Sequence, residues 1–341
     1  MKKTLLATAI PAMIFASSAS AIELYADEVN TFSVGGHISA GLIGSDEGST
    51  GVNSVSPRIN IGATRDLGNG FVANTLVEFG VNMDGGENTF WTRLGYVGLT
   101  HDVYGNVTVG TQWAPTYDVN GLADMPIAFA NENLYNNDMS QLATGRGDNM
   151  VSYRNSFDLA ENIALNFGLG VQGAQTAELE NNAKDRYSAR YQAALSFDFS
   201  DFTVGVTHNS GDVNYATEAK KETATVTKIA AKYGSYGQGL YVAAVYGESE
   251  FAYRPDGLAP KSSDVEALVA YAFENSVNVS LNFEEVTNDT TNQTELSQTA
   301  VQVEYNFAPS VVGYAGYQFD LGTDISTKKD NVWMIGARVY L

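Results

Sequence analysis

Ile163-Ala164-Leu165-Asn166-Phe167-Gly168-Leu169-Gly170-Val171-Gln172 reads as two interleaved columns. Every odd position is apolar, and every even one is small or polar. A period of two marks a β-strand whose faces meet different surroundings. The pattern returns downstream. Val277, Val279, Leu281 and Phe283 alternate with Asn278, Ser280, Asn282 and Glu284. Val301, Val303, Tyr305 and Phe307 alternate with Gln302, Glu304 and Asn306. Tyr187, Ala189, Tyr191, Ala193, Leu195, Phe197 and Phe199 form a longer column of the same kind. At the C-terminus Trp333, Ile335, Ala337 and Val339 continue it to Leu341. No apolar run reaches the roughly 20 residues of a spanning helix. A sheet greasy on one face along most of the chain predicts a closed transmembrane β-barrel in lipid.

Such runs are expected near residues 32–42, 56–65, 70–80, 91–100, 105–113, 148–155, 161–173, 185–199, 202–209, 225–234, 238–247, 264–274, 277–286, 297–307, 311–320 and 331–341. They predict a 16-stranded antiparallel barrel, an even count that leaves both ends on the periplasmic side. Connections alternate in length. Asp66-Leu67-Gly68-Asn69-Gly70 and Asn275-Ser276 are tight turns, whereas 43–55, 210–224, 248–263 and 287–296 are longer polar loops. Short periplasmic turns and longer outer loops are the outer-membrane arrangement. Aromatics near strand ends, among them Phe71, Phe79, Phe307, Phe319 and Trp333, suit girdles at the two interfaces. A water-soluble sandwich also alternates, but its polar face carries more charge and its strands are shorter.

The first residues have the form of a cleaved export signal. Lys2 and Lys3 precede the apolar stretch Leu5–Phe15, and Ala19-Ser20-Ala21 is a small-x-small cleavage site. Residues 1–21 are therefore expected to be removed, leaving a barrel domain over 22–341. The full chain has a net charge of −20, and loss of the two lysines takes it to −22. That acidity argues against a nucleic-acid partner, whose phosphates need a basic face. With no cysteine there is neither a disulfide framework nor a thiolate metal site. The three histidines, His37, His101 and His208, have no metal-ligand spacing, and no cofactor is implied.

Several stretches resemble the general diffusion porins of Gram-negative outer membranes. Ser56-Pro57-Arg58-Ile59-Asn60-Ile61-Gly62 running into the 66–70 turn is similar to that family's second strand. Thr92–Leu99 resembles its fourth, Val109-Gly110-Thr111-Gln112 with Tyr117-Asp118 the approach to its internal loop, and Asp148–Ser156 the strand after it. The resemblance runs from the signal to the C-terminus. It implies an outer-membrane homotrimer in contact with lipid and lipopolysaccharide, conducting small hydrophilic solutes and ions. It also implies that the loop around Asp84 to Asn88 latches a neighbouring subunit. Two departures stand out. The family usually ends in Phe, but this chain ends in Leu341. Ala128 falls where the family's internal loop carries a glutamate.

Residues 114–147 lack alternation and are too long for a hairpin, so a functional loop is expected there. The resemblance implies that it folds inward and narrows the pore. Asp118, Asp124 and Glu132 are its candidate acids. Asp124 matches the family's constriction aspartate, and Glu132 reaches toward the place of the missing glutamate. Glu78 shares lumen parity with Asn74 and adds negative charge. A charge on the lipid face costs about 2–4 kcal/mol at the midplane, so arginines within strands belong inside. Arg58 and Arg93 have lumen parity. Arg146 matches a pore arginine of the family, and His37 sits where the family often has lysine. Acids on a loop facing a basic wall would set up a transverse field that passes polar solutes. The acidic balance predicts a mild cation preference that weakens with salt.

Other signals yield to this reading. Gly168-Leu169-Gly170-Val171-Gln172-Gly173 spells a dinucleotide fingerprint, but it lies within an alternating strand with no helix after it. Arg146-Gly147-Asp148 spells an adhesion tripeptide at the end of the internal loop. The rival functions are a substrate-specific channel, a barrel enzyme and a plugged adhesin. No nucleophile and base are paired in a recognisable motif.

Overall fold

The computed structural model describes residues 21–83, 89–130, 141–178, 184–216, 220–252 and 259–341. Glu132, the 84–88 loop and the first twenty residues of the expected export signal lie outside these. Twenty strands occur among the described residues: β1 (Ile22–Ala26), β2 (Asn30–Ser45), β3 (Gly51–Asn53), β4 (Arg58–Gly68), β5 (Phe71–Val81), β6 (Phe90–His101), β7 (Gly105–Trp113), β8 (Arg146–Ala160), β9 (Ile163–Gln172), β10 (Gln175–Glu178), β11 (Lys184–Tyr187), β12 (Arg190–Phe199), β13 (Phe202–Tyr215), β14 (Lys220–Ser235), β15 (Gln238–Glu250), β16 (Lys261–Ala272), β17 (Val277–Asn288), β18 (Gln293–Ala308), β19 (Val311–Asp320) and β20 (Val332–Tyr340). Four of them, β1, β3, β10 and β11, are short extensions. The other sixteen are the staves of a closed antiparallel barrel. One turn of helix, α1 (Tyr117–Asn120), follows β7.

Closure takes place on β2. One edge pairs with β4, Asn30 opposite Arg65 through His37 opposite Arg58. The other pairs with β20, His37 opposite Tyr340 through Ser45 opposite Val332. Past Tyr340 that edge passes to β1, where Ile22 faces Val34 and Ala26 faces Thr31. Leu341 N donates to Gly36 O at 3.0 Å, directly beside this junction. A single stave is thus assembled from both ends of the chain. Among the described residues no sheet edge is left in hydrocarbon, where an unpaired backbone group costs several kcal/mol.

The outward column is exposed, with Leu169, Val204, Ile229 and Leu281 at 50–57%. Their neighbours Gln192, Thr203, Lys228 and Asn282 point inward and are buried. Aromatic pairs ring the short-turn end, including Phe202–Tyr233, Tyr271–Phe273 and Tyr305–Phe307, each at 4.8 Å. Phe79–Phe90 and Tyr317–Phe319 mark the opposite rim. These are the two expected girdles.

Two expectations need correction. The 210–224 segment is not a loop, because β13 runs to Tyr215 and β14 starts at Lys220. The hairpin continues beyond the membrane because Val213, Tyr215, Ala224 and Val226 bury a satellite core with Tyr187 and Leu142. The column from Tyr187 to Phe199 is also not one face. Ser188-Ala189 interrupts it, so Tyr187 is buried while Tyr191 is 63% exposed. Burial in that satellite core prevails over the alternation.

Candidate functional site

The internal loop leaves the wall after Trp113 and returns at Arg146. Between them its backbone is tied to the inner face of one side of the barrel. Gln192 Nε2 on β12 donates to Ala143 O at 2.9 Å, and the Asn209 side chain on β13 donates to Leu142 O. Tyr241 OH on β15 donates to Leu122 O at 2.6 Å. Nearer the tip, Asn282 Nδ2 on β17 reaches Phe129 O at 2.7 Å. Ile127 N donates to Glu304 Oε1 at 2.9 Å and Ala128 N to Gln302 Oε1 at 3.0 Å, both acceptors on β18. Val119 and Ala123 pack under the loop on Ala194, Ala230, Ala243 and Leu268. Wall glycines make the room. A Cβ on Gly168 or Gly170 would stand 2.9 or 3.2 Å from Pro115, and one on Gly316 would stand 3.0 Å from Phe129. Two of the three dinucleotide-like glycines therefore seat the loop.

By this route the loop covers the staves from β8 round to β19. At its tip Phe129 also packs with Met334 of β20 and Ile43 of β2, and on β20, β2, β4, β5 and β6 a group of basic side chains faces the lumen. Arg93 Nε on β6 meets Glu78 Oε1 on β5 at 2.8 Å, and Arg58 Nη1 on β4 lies 4.0 Å from the same oxygen. Arg58 Nη2 and Arg93 Nη1 both donate to Ser56 Oγ, at 3.0 and 3.2 Å. Glu78 is 1% exposed, so two guanidiniums hold one buried carboxylate. His37 on β2 faces inward, packs edge-on against Tyr340 at 5.7 Å, and is close enough to Arg338, Arg58 and Arg93 to interact with each electrostatically.

The other predicted residues are placed differently. Asp118 is clamped to the wall by Arg154 of β8, whose Nε and Nη2 donate to it at 2.7 and 3.2 Å. Asp124 is half-buried and accepts Tyr117 OH at 2.6 Å; it also acts through space on Glu266 of β16. Arg146 opens β8 at the end of the internal loop. It opposes Trp113 across β7 and β8, with its guanidinium 5.9 Å from the ring, and Trp113 stacks on Tyr117 at 4.0 Å.

Sequence reasoning missed Arg338. Its signal was present, since Met334, Gly336, Arg338 and Tyr340 form the inward column of the terminal strand. Lys228, paired with Asp264 at 2.8 Å, and Arg190, bonded to Ala224 O, are further inward cations. Tyr236, in the turn between β14 and β15, bends into the lumen and donates to Glu304 Oε1 at 3.0 Å. Burial and that carboxylate hold its phenol well above the ordinary value, so it remains a donor.

A lipid-coated cylinder with a polar interior, narrowed by its own loop, is an outer-membrane channel. The chain belongs to the Gram-negative porin family, whose model matches residues 7–339. It is 26% identical over 370 residues to outer membrane porin F of Xenorhabdus nematophila, covering 99% of this chain and 97% of that one. Among solved structures it resembles OmpF of Salmonella typhi in complex with daunomycin, with a TM-score of 0.79, 18% identity, and coverage of 94% and 100%. It also resembles the trimer form of in-vitro folded OmpT of Vibrio cholerae, with a TM-score of 0.65, 18% identity, and coverage of 92% and 100%. The protein is an outer-membrane porin, a channel rather than an enzyme.

Proposed function

We propose that the protein forms a water-filled pore through which ions and small hydrophilic solutes diffuse passively, with a mild preference for cations. The observation that carries this reading is the arrangement of the lumen, with the internal loop fastened to β12, β13, β15, β17 and β18 and with Arg58, Arg93, Arg338 and Glu78 facing inward from β4, β6, β20 and β5. In this reading Asp124 faces that wall across the narrowest zone; the other candidate acid, Glu132, lies outside the described residues. Asp118 is largely neutralised by Arg154, and Arg146 acts at the root of the loop. The net charge of −20 supports cation accumulation at low ionic strength. Reversal potentials across a KCl gradient test this. Cation preference that declines as salt rises is expected, and anion preference would contradict it.

The working form is read as a homotrimer, embedded in lipid with lipopolysaccharide against its outer girdle. The trimer form of the Vibrio relative supports this. Cleavage after Ala21 would start the mature chain at Ile22, the first residue of β1. Intact mass of protein taken from outer membranes checks that boundary.

A further inference from the structure

At the short-turn end of the lumen, beneath the tip of the internal loop, lies a cavity of about 480 Å³. Volumes of this order are typical of small-molecule sites. Met125, Ile127, Tyr236 and Tyr340 give it apolar and aromatic walls, and Arg338 stands against Glu304 and Asn278 across it. Asn278 and Glu304 are direct partners between β17 and β18. Glu304 in turn faces Tyr314, and Tyr314 faces Gly336, two residues from Arg338. The guanidinium is thus two strands from the carboxylate, roughly 10 Å between backbones, and close enough to act on it through space.

The polar atoms here are incompletely used. Glu304 Oε1 takes Ile127 N and Tyr236 OH. Among the described residues Oε2 takes Asn278 Nδ2 alone, at 3.3 Å. Asn278 Oδ1 is buried with no partner among the described residues, and so is Arg338 Nε. A buried donor or acceptor left unpaired in a native protein calls for an explanation. Arg338 Nη2 reaches Val55 O at 3.4 Å and the guanidinium lies 5.9 Å from the Tyr340 ring, so on one wall Nε is the donor left over, and on the other Asn278 Oδ1 is the acceptor left over beside a carboxylate. A ligand matching that layout has an anionic end, a cationic end about a dipeptide's length away, and an apolar side chain between them.

We propose that this cavity is a retention site for dipeptide-sized zwitterions, with the carboxylate on Arg338, the ammonium between Glu304 and Asn278, and an apolar side chain against Met125, Tyr236 and Tyr340. The inference rests on the open-pore reading above. It adds a saturable component to otherwise linear diffusion.

The test uses the full protein in a planar bilayer. Current is recorded first in KCl alone, then with L-alanyl-L-phenylalanine on the short-turn side, then with its uncharged N-acetyl amide. Concentration-dependent interruptions are expected from the zwitterion, with at least tenfold weaker block by the neutral form. Arg338→Gln should weaken the block about tenfold, and Arg338→Lys should restore part of it. Asn278→Ala serves the same purpose if the arginine variant does not assemble. Equal effects of the two compounds in a conducting wild-type channel would overturn the inference and leave the porin reading intact. Absence of any KCl current would sink both.

Discussion

Glu78 links stability to the proposed permeation path. It is buried between Arg93 and Arg58 on the wall proposed as the basic side of the constriction. Removing one member of a buried pair strands the other, at a cost of about 3–5 kcal/mol. Arg93→Gln should therefore destabilise the barrel by about 3 kcal/mol, with Arg58 compensating for part of the loss. Adding Glu78→Gln should recover most of it, so urea unfolding of the double-mutant cycle should return a clear coupling energy. Gly36 is constrained by the backbone instead. Its φ is +117°, and an added Cβ would run into the Arg58 carbonyl beside the closing seam. Gly36→Ala should cost about 1–3 kcal/mol, read as a lower urea midpoint. Asp27 caps the turn between β1 and β2. It accepts from the Asn30 side chain, Val29 N and Tyr25 OH, and these bonds hold its carboxyl well below the usual range. Its contribution is present above the ordinary carboxylate pKa and is lost as pH falls through the lowered one. Acid unfolding of Asp27→Ala should thus depend less on pH than that of the wild type in the strongly acidic range. Parity alone assigned Arg58 and Arg93 to the inner face, whereas His37 came from the family resemblance. Arg338 was equally legible, but only from the column opposite the greasy one.

At the scale of the element, the two faces of each stave answer to different solvents. Leu195, in the middle of β12, is 46% exposed and pairs with Phe167 and Val206 on the lipid side. Leu195→Arg should cost about 2–4 kcal/mol, measured by unfolding from lipid vesicles. The staves could be read from sequence because their alternation is local. The break at Ser188-Ala189 could not, since it follows from Tyr187 packing on Tyr215 in another hairpin. The internal loop was recognisable only by its lack of period. Its path was hidden because its anchors, Gln192, Asn209, Tyr241, Asn282 and Glu304, lie tens to well over a hundred residues downstream and resemble any other inward polar residue. The glycines that admit it were visible but suggested a nucleotide motif.

For the whole molecule, the ends of the chain build one stave together, and the loop and the basic wall divide the interior between them. Closure leaves no lipid-facing sheet edge among the described residues, and the loop and the wall leave a passage lined by side chains of both signs. A wall of this kind predicts ohmic current with a polarity set by net lumen charge, together with a selectivity shift toward cations in Arg93→Gln. The central claim is that hydrocarbon surrounds this cylinder and water fills it. Single-channel recording of the purified protein in a planar bilayer tests it most directly. Discrete, steady conductance steps that scale with KCl concentration are predicted, and a correctly folded barrel that inserts yet passes no current would contradict the account.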